Sequence, residues 1–351
     1  MAAQTNRRVA TRIKKKRRRR RKPGRTEETA APALFIYEEM PRYRSRKTNR
    51  RKPGRRVTLV RVAVLVLTSG CLLGSLLGQA GRRSHPAGEG ASTVNVVAFR
   101  ENESADPITS GNISMFDNGA EQQIKSFVPD RSAARIVLLV DNSLTIRADV
   151  EKLEAAALEF AYEIYDGDKL LIVGYDDEAD IVSDWTDDAK KIEAQLKAFH
   201  KKGDPHLFDA ISAVVEDALR PLTSQKRAII VVSDGLDKGS KTKFDQALAT
   251  LQQLDIAVYC VQAQDRTRGA IRRDVPKPRQ VIDDLAEGTG GRIFPIDDPG
   301  SAAKSICDEL RKHRFVLSYE PKSAVSSEPR RLLVVGDRGI VARSKTMQPP
   351  Q

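Results

Sequence analysis

Cysteine is almost missing from this chain: Cys71, Cys260 and Cys307 are the only three in 351 residues. Cys71 falls in an apolar run, so at most one disulfide can form in the remainder, which excludes a disulfide framework. Cys260 and Cys307 sit in apolar-periodic stretches and read as buried thiols, acting as small hydrophobes. Histidine is nearly as scarce. His85, His200, His206 and His313 provide no Cys–His spacing for zinc, and none stands near a serine or cysteine in a nucleophile motif. Loop residues Gly235 to Thr242 (GLDKGSKT) do not have the second glycine at the position that a phosphate-binding loop requires.

Acids are missing from the first 80 positions, apart from Glu27, Glu28, Glu38 and Glu39, whereas 23 of the 60 Lys and Arg lie there. That segment carries +19 and the rest of the chain −6, so a basic arm is joined to a mildly acidic body. Residues 1–56 include an unbroken basic run, Lys14 to Lys22, and the pentapeptide Arg-Lys-Pro-Gly-Arg at both 21–25 and 51–55. They hold too little apolar surface to offset their ordering entropy, which predicts a disordered tail. Such a tail can bind nucleic acid through counterion release. It can equally lie on anionic lipid, where each basic residue contributes about 1 kcal/mol. The run contains no aromatic residue for base stacking, and a neighbouring membrane helix makes lipid the more economical partner.

That helix is predicted over residues 57–80. No charge interrupts Val62 to Gly78, and about 20 apolar residues span a bilayer. Arg50, Arg51, Lys52, Arg55 and Arg56 stand immediately upstream, so the N-terminus is expected in the cytoplasm and the remainder exported. Two readings involve cleavage instead. Gly78-Gln79-Ala80 has the small residues of a signal-peptidase site, most naturally if translation begins at Met40. Thr68-Ser69-Gly70-Cys71 resembles a lipoprotein signal. Export is common to all three.

A linker at 81–93 leads to strand candidates at 94–130: Val94 to Phe99, then a hairpin of Ile113 to Phe116 and Gln123 to Val128 around Asp117-Asn118-Gly119. Over 131–313 strands and helices alternate. Ile136 to Val140 is a continuous apolar run, as in a strand covered on both faces. Val150, Leu153, Ala157, Phe160, Ala161 and Ile164 form a helical stripe. A single helix is expected over Phe208 to Leu219. The alternation predicts an α/β fold, a doubly wound, mainly parallel sheet with helices on both faces. Short strands return over 314–343 and are expected to pair with those before residue 130 as a small β add-on. Residues 344–351 are expected to be a disordered tail.

In an open parallel sheet, ligands bind at the carboxyl ends of the strands near the switch in strand order. Two such ends are acidic: one strand runs into Asp141-Asn142-Ser143-Leu144-Thr145, another into Ser233-Asp234-Gly235. Carboxylates and hydroxyls on loops suit a hard divalent cation such as Mg²⁺; Asp141 and Asp234 would equally serve as helix caps. Val-Asp-Asn-Ser-Leu-Thr resembles the Asp-x-Ser-x-Ser signature of von Willebrand factor A domains, and Ser-Asp-Gly resembles that family's second metal-site aspartate. The likeness covers about residues 133 to 320. Val94-Asn95-Val96, Phe116-Asp117-Asn118-Gly119 and the tyrosine-containing strand Phe315 to Tyr319 resemble the flanks of a membrane-anchored bacterial subfamily of the acidobacterial type.

The resemblance implies a Mg²⁺ or Mn²⁺ site in which Asp141, Ser143 and Thr145 are first-loop ligands and Asp234 acts through water. The family's remaining ligand is a threonine, but here Pro205 holds that position in Gly203-Asp204-Pro205-His206. Proline offers no side-chain oxygen, so Asp204 is the candidate substitute. The resemblance implies a non-enzymatic module that binds a protein ligand in the bacterial cell envelope. A metal-dependent hydrolase using Asp141 and Asp234 is the enzymatic alternative. The acidic loop Asp176 to Asp180 and the basic insertion Asp265 to Arg279 read as solvated, or else as a second cation site and a partner-binding loop.

Overall fold

The computed structural model describes residues 92–102, 104–266, 276–322 and 327–350. The basic tail, the 57–80 segment and nearly all of the linker lie outside them. Among the described residues, no helix is long and apolar enough to cross a membrane.

The chain enters through β1 (Ser92–Arg100), β2 (Ile113–Asp117), β3 (Ala120–Gln122) and β4 (Ile124–Pro129). The α/β body comprises β5 (Ala134–Asp141), α1 (Val150–Glu163), β6 (Lys169–Tyr175), β7 (Ala179–Thr186), α2 (Ala189–Leu196) and α3 (Leu207–Ala213). It continues with β8 (Lys226–Ser233), α4 (Phe244–Gln253), β9 (Ala257–Gln262), α5 (Pro278–Thr289), β10 (Ile293–Pro295) and α6 (Pro299–Lys312). The chain closes with β11 (Arg314–Tyr319), β12 (Arg330–Gly336), β13 (Ile340–Ser344) and β14 (Met347–Gln348).

The body is a six-stranded sheet in the order β10-β9-β8-β5-β6-β7. All neighbours are parallel except β7, which runs antiparallel to β6 at the edge. Strand periodicity of two divides β5 between two cores. Ile136, Leu138 and Val140 face a layer with Leu153, Phe160, Ile306 and Leu310 of α1 and α6. Val137 and Leu139 face Ile211, Leu251 and Leu285 of α3, α4 and α5. Each such side chain, fully buried, contributes roughly 1.5–3 kcal/mol. This two-sided cover is why the strand reads as an unbroken apolar run. Cys260 and Cys307 are buried and unbridged, as expected. Burial pushes both thiols up.

Three expectations need correction. The hairpin after Asp117-Asn118-Gly119 does not return as one strand. Ala120–Gln122 pairs with β2, whereas Ile124–Pro129 leaves for another sheet and pairs with β11. Only the type of turn is local; the later pairing is decided by β11, nearly 200 residues on. The helix expected over Phe208 to Leu219 is α only to Ala213 and widens into a π-helical turn over Val214–Leu219. The wider turn keeps Val214, Val215 and Leu219 all buried. Residues 344–350 are ordered: β14 pairs with β12, and the buried Lys345 donates from Nζ to Gln252 O at 2.9 Å. Thr346 N–H bonds to Gly288 O at 3.1 Å. The backbone partners that order this short polar segment are distant in sequence.

The flanking strands form two four-stranded sheets, β13-β1-β11-β4 and β14-β12-β2-β3. They share one core of Val94, Val96, Met115, Leu317, Tyr319, Leu332 and Val334. This sandwich is tied to the body by the buried Glu309 of α6, which receives Arg292 at 2.6 Å and Arg343 of β13 at 2.5 Å.

Lys226, at the start of β8, is only 2 % exposed. Its ammonium donates to Asp130 O (2.8 Å) and Leu310 O (2.6 Å), the latter near the end of α6. Burial pushes it down from 10.5 to about 8, partly countered by Asp130. Between those values the unfolded chain holds one more proton than the folded chain, so stability rises with pH. The cost is complete below pH 8 and relieved by pH 10.5. That relief amounts to about 3 kcal/mol. Urea unfolding across this window should show the rise, and Lys226→Met should remove this lysine's share. An identical slope in the variant would assign the effect to other groups.

Candidate functional site

β5 lies at the switch in strand order: the chain passes from it to β6 on one side and later returns to β8 on the other. The carboxyl ends of β5 and β8 therefore open side by side, the usual ligand position in such sheets. Asp141 ends β5, Asp234 follows β8, and both are fully buried. Asp141 Oδ1 accepts from Ser143 N–H (2.9 Å) and Ser143 Oγ–H (2.6 Å), which winds the loop back over the strand end. Asp234 Oδ1 accepts from Leu236 N–H at 3.0 Å. Between them Ser233 Oγ accepts from Tyr175 Oη–H at 2.8 Å and from Gly235 N–H at 3.0 Å. The Tyr175 phenol is pushed well up by burial and by the Asp141 charge.

An arginine fills the space between the loops. Arg266 follows β9, and its side chain is 6 % exposed. Nε donates to Asp234 Oδ2 (2.6 Å) and Nη2 to Asp234 Oδ1 (2.8 Å), a bidentate pair. Nη2 also donates to Asp141 Oδ2. Nη1 donates to Ser143 Oγ (2.8 Å) and Thr145 Oγ1 (2.7 Å). The backbone N–H of Arg266 adds a bond to Asp234 Oδ2 at 3.0 Å. Burial works against the guanidinium charge, but Asp234 and Asp141 outweigh it and hold the group above its ordinary value. Burial pushes the Asp141 carboxyl up, with Arg266 opposing.

The structure thus brings Asp141, Ser143, Thr145 and Asp234 together around Arg266. It does not bring Asp204 to them through any hydrogen bond or ion pair described. Asp204 pairs with Lys238 Nζ at 2.6 Å, and its N–H goes to Asp177. Pro205 contributes its carbonyl to Lys238 N–H at 2.7 Å. Among the described residues no group of three or more His, Cys, Asp or Glu side chains could hold a metal ion. In this arrangement the donors do not fit a divalent cation. Their oxygens already accept from Arg266, and the third-loop ligand is a proline.

The acidic loop is not simply solvated. Asp176 is buried and accepts from Asn142 Nδ2 at 3.1 Å, while Lys202 bridges it and Asp180 at 3.7 and 2.7 Å. Within 235–243, Asp237 Oδ1 accepts from Phe208 N–H at 3.1 Å and so satisfies the first turn of α3. Sequence reasoning missed Arg266. It lies in an Arg-rich insertion far along the chain from both aspartates, and no spacing rule marks one arginine among several.

Residues 136–236 match the model of the von Willebrand factor type A domain. Similar solved structures include an aerotolerance-related membrane protein from Bacteroides fragilis, 18 % identical with a TM-score of 0.42, covering 51 % of this chain and 100 % of that one. A von Willebrand factor type A protein from Catenulispora acidiphila is 9 % identical with a TM-score of 0.44, covering 75 % of each chain. No curated protein matches the chain.

Proposed function

We propose that residues 131–313 act as a protein-interaction module, held on the outer side of a bacterial cell membrane by an uncleaved anchor at 57–80. In this reading the basic tail lies on anionic lipid inside the cell. The flanking sandwich, 94–130 with 314–343, belongs with the acidobacterial type. One observation carries the proposal: an A-type domain presents its two-loop cluster at the open carboxyl edge of the sheet. Binding, rather than hydrolysis, is supported by the engagement of both carboxylates with Arg266, which leaves neither poised as a general base.

Leu144 stands at the rim of this edge, 64 % exposed, on the loop that carries Asp141 and Ser143. Tyr162, equally exposed, lies near the far end of α1 and so at the opposite edge of the sheet. A photo-crosslinking residue placed at 144 in the full-length chain in cells should yield a discrete protein adduct. The same residue at 162 should not. Equal adducts from both positions, or none from 144, would reject the proposed binding edge.

A further inference from the structure

We infer that Arg266 is the resident cation of this domain: its guanidinium holds the Asp141 and Asp234 loops together in place of a divalent ion. The inference rests on the loop geometry and stands whether or not the domain binds a protein.

A guanidinium has five N–H donors in a rigid planar fork. Here all five are used, on five acceptors: both oxygens of Asp234, one of Asp141, and the hydroxyls of Ser143 and Thr145. These acceptors come from two loops separated by about 90 residues of chain, so the contacts reflect a tertiary arrangement rather than a local turn. The side chain is nearly excluded from water, where charge-assisted bonds are strong and an unmatched charge is costly.

The remainder of the site is built consistently. A divalent ion would draw on a third loop. That loop offers Pro205, while Asp204 is engaged by Lys238 at 2.6 Å. Arginine has no use for a third-loop ligand, because its donors are already exhausted.

A functional difference follows. A hard divalent ion keeps water in part of its coordination shell, and a ligand carboxylate can displace it. The guanidinium retains no donor for such a carboxylate. Recognition at this edge therefore runs through its rim and is indifferent to chelators. Lysine cannot substitute for Arg266, since an ammonium has three donors and no planar fork.

The test uses the full-length chain in detergent and Mn²⁺ as the probe. Free Mn²⁺ is read by electron paramagnetic resonance, and the unfolding midpoint is read with and without EDTA. Wild type should leave the Mn²⁺ signal undiminished into the millimolar range, with a midpoint unmoved by EDTA. Arg266→Ala should lower the midpoint, and Arg266→Lys should not restore it. Saturable loss of Mn²⁺ signal by wild type, abolished in Asp141→Asn, would overturn the inference without any need for an Arg266 variant to fold. A midpoint of Arg266→Ala equal to wild type would overturn it independently.

Discussion

Asp234→Ala should lower the unfolding free energy by about 3–5 kcal/mol, the range for removing one partner of a buried ion pair. Asp234 is fully buried and accepts the Nε, Nη2 and backbone N–H of Arg266. Alanine would leave Nε and the backbone N–H of Arg266 without these acceptors, and Leu236 N–H would also lose its partner. Arg266 keeps its pair with Asp141, so most of the loss is the penalty of leaving buried donors unsatisfied, not of stranding a charge. Asp234→Asn keeps one acceptor oxygen and should fall between wild type and alanine. Chemical denaturation at neutral pH measures the series. A loss under about 1 kcal/mol for alanine, the size typical of an exposed pair, would mean that Arg266 simply turns out to water.

Gly235→Ala should cost about 2–5 kcal/mol, for two separable reasons. Gly235 has φ +85°, and a Cβ there would lie 2.2 Å from Pro278 O and 2.8 Å from Ile282 Cγ1. The left-handed backbone costs a non-glycine residue roughly 1–2 kcal/mol. Overpacking adds about 1–3 kcal/mol. Gly119 separates the two effects, because it has φ +79° but a methyl group there would meet nothing within 4 Å. Gly119→Ala should therefore show only the backbone share. Equal losses at the two positions, measured by chemical denaturation, would mean that the first turns of α5 yield without cost. The close approach matters for the site because Gly235 follows Asp234 directly and fixes the angle at which that loop leaves β8.

Much of the body is legible from local patterns. Ile136 to Val140 shows a strand covered on both sides, because a run without polar interruption can be buried only between two helix layers. The stripe Leu153, Ala157, Phe160 and Ala161 marks one face of α1 in the same way. The strand ends at Asp141 and Asp234 also stand out, since a buried run that terminates in a carboxylate and a hydroxyl signals a loop at the ligand edge. The flanking strands are harder to place. Gln123 to Val128 alternates well enough to be a strand, yet nothing local says that its partner is β11 rather than β2. The last residues look too short and polar to order, and they do so only through Gln252, Gly288 and β12.

The alternating α/β body, the two acidic strand ends, the buried thiols and the proline in the third loop are all encoded locally. Each is written in periodicity, residue type or short-range spacing. Long-range packing settles which sheet β4 joins, that the chain's last segment is pinned, and which cation sits between Asp141 and Asp234. These outcomes depend on groups far apart in the chain meeting at hydrogen-bond distance. A guanidinium from an Arg-rich loop carries no local mark that distinguishes it from its neighbours. Only the fold shows that the five acceptors around Arg266 match its five donors.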